Sequence, residues 1–125
     1  MNAIHLICRR DDGVNLNRVL LLDRATFSYR SGTWDLDAGE AQALVGGWLY
    51  LHPSKNKPSE FGGHISGFEV VQVDGLARET RIDFIFKASP SARGTAWRGQ
   101  SHGMAWTGGI VPAGLPHERD RSLGA

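Results

Sequence analysis

At 125 residues, 41% hydrophobic, 22% charged and with a formal net charge of +1, the chain is long enough for one buried core. Its overall balance by itself calls for no nucleic-acid, membrane or acidic partner. The sole cysteine, Cys8, excludes an intrachain disulfide and points to a reducing compartment; beside Ile4, Leu6 and Ile7 it reads as a buried thiol. No apolar run approaches the roughly 18 residues a membrane span needs. The short apolar start runs directly into Arg9, Arg10, Asp11 and Asp12, unlike a signal peptide. The expectation is a cytoplasmic protein without a membrane partner.

In chain order, residues 3–9 are short and apolar, a strand, and Asp11-Asp12-Gly13 is a turn signal. Val19 to Leu22 is a continuous apolar run, either a buried strand or part of a short helix. From Ala25 to Arg30 the pattern alternates, with Phe27 and Tyr29 on one side, as in a half-buried strand. Ser31-Gly32 then turns the chain toward Trp34. Asp37-Ala38-Gly39-Glu40 has capping-box spacing, so a helix of one or two turns follows at about 38–45, ended by Gly46-Gly47. A strand at 48–52, a loop at 53–63 and a strand at about 64–73 come next, and Asp74-Gly75 turns. Arg81 to Lys87 alternates again, with Ile82, Phe84 and Phe86 on one face and Arg81, Asp83 and Lys87 on the other. Residues 91–109 read as a long loop with one short strand near Met104–Thr107. From Pro112 onward, proline, glycine and mixed charges read as a flexible tail. The organisation is one β-rich domain over 1–111 and a tail over 112–125.

The loop at 53–63 carries unusual backbone control. Pro53 and Pro58 fix φ and bias the residues before them toward extended geometry. Gly62-Gly63 allows positive φ or close backbone approach. Loops so constrained more often bind something than merely connect. Charge is also uneven: from Phe84 to His117 there are Lys87, Arg93, Arg98 and two histidines but no acid. Residues 41–68 set Lys55, Lys57, His52 and His64 against Glu60 alone. If these two acid-poor regions meet, one face is basic and suited to a phosphate-bearing partner.

The histidines do not fall at metal-ligand spacings, so no metal and no cofactor are expected. Gly63-His64-Ile65-Ser66-Gly67 misplaces the serine for a nucleophile elbow, and no phosphate-binding or dinucleotide fingerprint is present. A metal-free hydrolase or nuclease would use His52, His64 and His102 as imidazoles near neutral pKa, with Lys55 for the developing charge. The aromatic and basic combination is the stronger signal, because flat side chains beside cations suit a stacked base and its phosphate. The candidate set is Trp34, Tyr50, His52, Ser54, Lys55, Lys57, Phe61, His64, Trp97, Arg98 and His102. In it Lys55 and Lys57 hold phosphate, Trp34 or Trp97 stacks, and His52 and Ser54 read polar edges.

The strand ending Tyr50-Leu51-His52, the Ser54-Lys55 and proline-bearing loop, and the strand opening Ile65-Ser66-Gly67-Phe68-Glu69-Val70-Val71 resemble the central unit of PUA-like domains. That superfamily includes the ASCH and EVE/YTH branches. The likeness spans about residues 36–88, and the short helix before the strand is where such domains place one. The Lys-Ser-Glu-Pro signature of EVE domains is absent from residues 1–12, and the acids and lysine proposed as catalytic in some ASCH proteins have no clear counterpart. The resemblance implies a fold and a tendency to bind RNA or modified bases, and it transfers no catalytic residue. The expectation is therefore a mostly β (α+β) chain, a small curled sheet or PUA-like β-barrel with one or two short helices. Its partner would be RNA, DNA or a nucleotide-like small molecule. The rivals are the histidine hydrolase, which would make it an enzyme, and a protein–protein module.

Overall fold

The computed structural model describes residues 2–8, 19–72, 80–98 and 107–119. Five successive residues from Trp48 to His52 are buried. Successive side chains of a strand point to opposite faces, so such a run needs cover on both. This strand, β4 (Trp48–His52), pairs in parallel with β1 (Asn2–Ile7) and antiparallel with β5 (Phe61–Gln72). Outward from β5 come β6 (Thr80–Ala88), β3 (Ser28–Trp34) and β2 (Val19–Asp23); on the other side β7 (Thr107–Pro112) pairs with β1. The order is β2-β3-β6-β5-β4-β1-β7. The sheet is a curled, mostly antiparallel ribbon with β2 and β7 as edges, and it does not close into a barrel.

The parallel β1–β4 pair requires a crossover, which carries β2, β3 and the helix α1 (Ala38–Leu44). α1 starts where the sequence predicts. Asp37 accepts from the Glu40 amide at 2.7 Å, and Glu40 accepts from the Asp37 amide at 3.2 Å, completing the capping box. Its Ala41 and Leu44 are buried against a face made of Ile4, Leu6, Leu49, Leu51, Ile65 and Phe84. Fully burying each such aliphatic side chain is worth about 1.5–3 kcal/mol, so this is the main apolar core. Gly62 and Gly63 lie where neighbouring backbone leaves no room for a side chain. A Cβ on Gly62 would meet the Leu49 carbonyl, and one on Gly63 the Lys87 carbonyl.

The register fixes the other face. Ala3 sits beside Trp48, His5 beside Tyr50 and Ile7 beside His52, while His64 sits beside Trp48. Here the sheet presents indole, phenol and imidazole in place of aliphatic groups.

Several sequence expectations change. Val19 to Leu22 is a strand but not a buried one: at the sheet edge, Leu20 is 61% and Leu22 46% exposed. Phe27 belongs to a turn before β3, with φ of 56° and 59% exposure. Ser31-Gly32 does not turn the chain; β3 runs through it, and a Cβ on Gly32 would strike the Asp83 carboxylate. Asp83 is therefore buried, with Arg30 Nε at 2.7 Å from Oδ2. The segment after Pro112 is not loose up to residue 119. A short helix, α2 (Pro116–Arg119), buries Glu118 completely enough to leave it 1% exposed. The turns expected at 11–13 and 74–75, His102 and the stretch Met104–Trp106 lie outside the described residues. Among the described residues no helix is long and apolar enough to cross a membrane.

Candidate functional site

Above the polar face of β1 and β4 runs one chain of hydrogen bonds whose direction follows from its ends. The Lys57 carbonyl can only accept, so His52 Nδ1, 2.9 Å away, carries a proton. His52 Nε2 is then an acceptor, and His5 Nδ1–H donates to it at 2.7 Å. Arg98 Nε–H can only donate, and it does so to His5 Nε2 at 3.1 Å. The two Arg98 terminal nitrogens bind Glu118 at 2.9 and 2.5 Å, a bidentate fork. Tyr50 donates its hydroxyl proton to Glu118 Oε2 at 2.6 Å, so His117 Nε2–H, at 2.6 Å, donates to Tyr50 Oη. The amides of Gly114 and Leu115 also donate to Glu118, at 3.0 and 2.9 Å.

Electrostatics agree with these roles. Burial, then the neighbouring His52 and Arg98, push His5 down to about 3. Burial likewise lowers His52 and His117. Burial alone would raise Glu118, but hydrogen bonds from Arg98, Tyr50 and the Leu115 amide outweigh it and bring the carboxyl to about 2. Burial and Glu118 raise the Tyr50 phenol well above its ordinary value. The imidazoles are thus neutral and the Arg98–Glu118 pair is charged. His5 and His52 are fully buried with both ring nitrogens engaged, which leaves neither one a lone pair or proton to offer a substrate.

Trp97 lies on this layer, with its ring centroid 5.1 Å from that of His52 and 5.7 Å from that of His5. Over it extends the 53–60 loop, shorter than expected because β5 already begins at Phe61, and Lys55 Nζ stands 5.7 Å from the indole centroid. Lys55 to Pro58 on one side and Gly94, Ala96 and Trp97 on the other line a cleft of about 410 Å³. Ser59 joins the two loops. Its hydroxyl donates to the Ala92 carbonyl at 2.5 Å and accepts from the Thr95 amide at 3.0 Å. Its backbone exchanges bonds with Gly94 and Thr95 at 2.8 and 2.9 Å.

Of the sequence candidates, Lys55, Lys57 and Trp97 meet at this cleft. His52 lies beneath it and Tyr50 deeper still, as supports without a free face. Ser54 sits at the bend that starts the loop, its carbonyl accepting from the Lys57 amide at 3.3 Å. Arg98 is turned away into Glu118. His64 packs edge-on against Trp48, their centroids 5.8 Å apart, four residues along β4 from His52 and so roughly 13 Å away. Phe61 belongs to a different groove, with Phe27 and Tyr29, and packs edge-on against the buried Phe86. Trp34 is a correction: 2% exposed, with Nε1 bonded to Ser31 Oγ at 3.2 Å, it is core and cannot stack on a ligand.

Sequence reasoning missed His5, His117 and Glu118. His5 alternates with Ile4 and Leu6, a polar side chain on the opposite pleat of an apolar strand. Glu118 is the first acid after the acid-free stretch 84–117, and it is the residue that takes the Arg98 charge. Among the described residues no three His, Cys, Asp or Glu side chains gather as a metal site. Compared with protein-family models, curated proteins and solved structures, the chain matches none, so its own geometry carries the functional reading.

Proposed function

We propose that the chain is a small nucleic-acid- or nucleobase-binding domain whose cleft between loops 53–60 and 94–97 takes a planar base and its phosphate. The observation that supports this most is Lys55 poised over Trp97 in a cleft of about 410 Å³, a volume within the usual range for small-ligand sites. An ammonium over a partly exposed indole is worth about 0.5–1 kcal/mol, whereas a base stacked on the same ring is worth about 1–3 kcal/mol. A base entering the cleft takes the lysine's place on the ring face. The long side chain then swings to the phosphate, with Lys57 one turn of the loop away. The Trp97 ring is held for this by the buried His5–His52 layer, so the site is preorganised and loses little entropy on binding. The PUA-like resemblance of residues 36–88 points the same way, since the helix–strand–loop–strand unit that carries it also supplies the lysines. Binding is preferred to turnover because His52, needed by a histidine hydrolase, has both nitrogens bonded within the fold.

The test is affinity for a uridine or thymidine nucleotide and for single-stranded oligonucleotides at low salt, by quenching of tryptophan fluorescence, alongside thermal melting. Trp97→Ala is expected to weaken binding about 5- to 150-fold while the protein still melts cooperatively. No binding by the unaltered protein to any of these probes would defeat the proposal.

A further inference from the structure

A second cavity, of about 430 Å³, lies on the other side of the Ser59 seam. Its walls are Phe27, Tyr29, Phe61, Pro90 and Arg93. Tyr29 and Phe61 meet edge to face at 5.0 Å, and both pack on the aliphatic core from its open end. Phe27 is the odd member. A phenylalanine in the left-handed region is strained, and this one also holds its ring largely in solvent. The conformation is fixed by its backbone, whose carbonyl accepts from the Ala88 amide at 2.8 Å. Asp23 Oδ1 further braces the turn by accepting from the Ala25 amide at 3.0 Å. Burial does not account for the ring's position, but an aromatic wall at the mouth of a groove does.

The two cavities share their rim. Arg93 lines one and the next residue, Gly94, lines the other, so their Cα atoms are about 3.8 Å apart. Pro58 and Phe61, three residues apart, likewise face opposite cavities, and can be separated by at most about 11 Å. Arg93 stands on this rim, exposed, its Nε bonded to the Glu60 carbonyl at 3.1 Å. Two aromatic hollows with a guanidinium at the divide match the repeat of a single strand: base, phosphate, base. An apolar peptide would leave the arginine without a counter-charge, and a free base would fill one hollow only.

Resting on the binding reading above, we infer that the Phe27–Tyr29–Phe61 groove is a second base subsite, and that the ligand is a single strand crossing the Ser59–Gly94 rim with consecutive nucleotides on either side. The experiment compares a mononucleotide with di- and tetranucleotides of uridine and of thymidine, on the unaltered protein and on Phe27→Gly, Arg93→Gln and Trp97→Ala. Affinity is expected to rise from mononucleotide to short oligonucleotide. Phe27→Gly, which relieves the backbone strain and keeps the Ala88 bond, should hold or raise the melting temperature. It should cut oligonucleotide affinity about 5- to 150-fold and leave mononucleotide affinity alone. Arg93→Gln should flatten the salt dependence for oligonucleotides only. The uridine and thymidine series tell whether RNA or DNA is preferred. Oligonucleotide binding that is no tighter than mononucleotide binding, or that is indifferent to Phe27→Gly, would overturn the second subsite while leaving the first. Failure of every probe would overturn both.

Discussion

The two faces of one sheet are held by different physics. Beneath α1, Leu49 and Leu51 meet Ile4, Leu6 and Ile65 with no polar atom to satisfy. Over the other pleat of the same strands, Tyr50 and His52 meet His5, Arg98, His117 and Glu118. The aliphatic side gains from area and tolerates imperfect partners. The polar side works only while every member is present, because a buried charge or donor left alone costs more than its bond contributed. The cleft lies over the second kind of surface, where directional bonds fix the imidazoles against which the Trp97 indole packs.

Breaking the polar side should cost most. Glu118→Ala leaves Arg98 without its counter-charge and Tyr50 and two amides without an acceptor, so a loss of about 3–5 kcal/mol is expected in denaturant unfolding. Leu49→Ala, on the aliphatic side of the neighbouring position to Tyr50, should cost about 2–5 kcal/mol, equally at pH 5 and pH 8. Acid sharpens the contrast. His5, at about 3 when folded, and His52, also lowered, bind protons more readily unfolded, where a histidine titrates near 6.5. Stability should therefore be full above about pH 6.5 and fall below it, by up to about 1.4 kcal/mol per pH unit for His5 until pH nears 3, with His52 adding to the loss in the same direction. Glu118, depressed from 4.5 to about 2, adds a loss that begins as pH falls through the ordinary carboxylate value and is complete near the depressed one. His5→Phe should remove one histidine's share of the slope between pH 4.5 and 6.5, measured by denaturant midpoints across pH. The smallest effect on the fold belongs to the cleft rim. Lys55→Ala with Lys57→Ala should move stability by about 0.5 kcal/mol or less, yet reduce the salt slope of single-strand binding by about one and a half units. An unchanged slope would take both lysines out of the phosphate contact.

Legibility followed the same division. α1, β4 and the two faces of β6 could be read from the chain, because a capping box, an aromatic-aliphatic run and strict alternation are local patterns. Close approach at Gly62-Gly63 was legible for a similar reason. The edge position of β2 was not. Leu20 to Leu22 has the hydropathy of a core strand, and only the pairing order places it at the margin. Trp34 and Trp97 have similar polar flanks, but one enters the core through the β3 register and the other lies over imidazoles. His5 and Glu118 were invisible as partners, since their meeting depends on a parallel pairing and on a short helix far along the chain.

The bonds that close the polar face span great lengths of chain: 47 positions from His5 to His52, 93 from His5 to Arg98 and 68 from Tyr50 to Glu118. Contacts of this reach form late, since a long loop must close before they contribute anything. During folding, β4, β5 and β6, which are near one another in sequence, can assemble against α1 before the Arg98–Glu118 and Tyr50–Glu118 contacts close. Until then the Trp48–Tyr50–His52 row stands uncovered, with Arg98 lacking its counter-charge. The domain thus passes through an interval in which half its sheet is finished and the other half is open to any passing aromatic or acidic surface, including that of another copy.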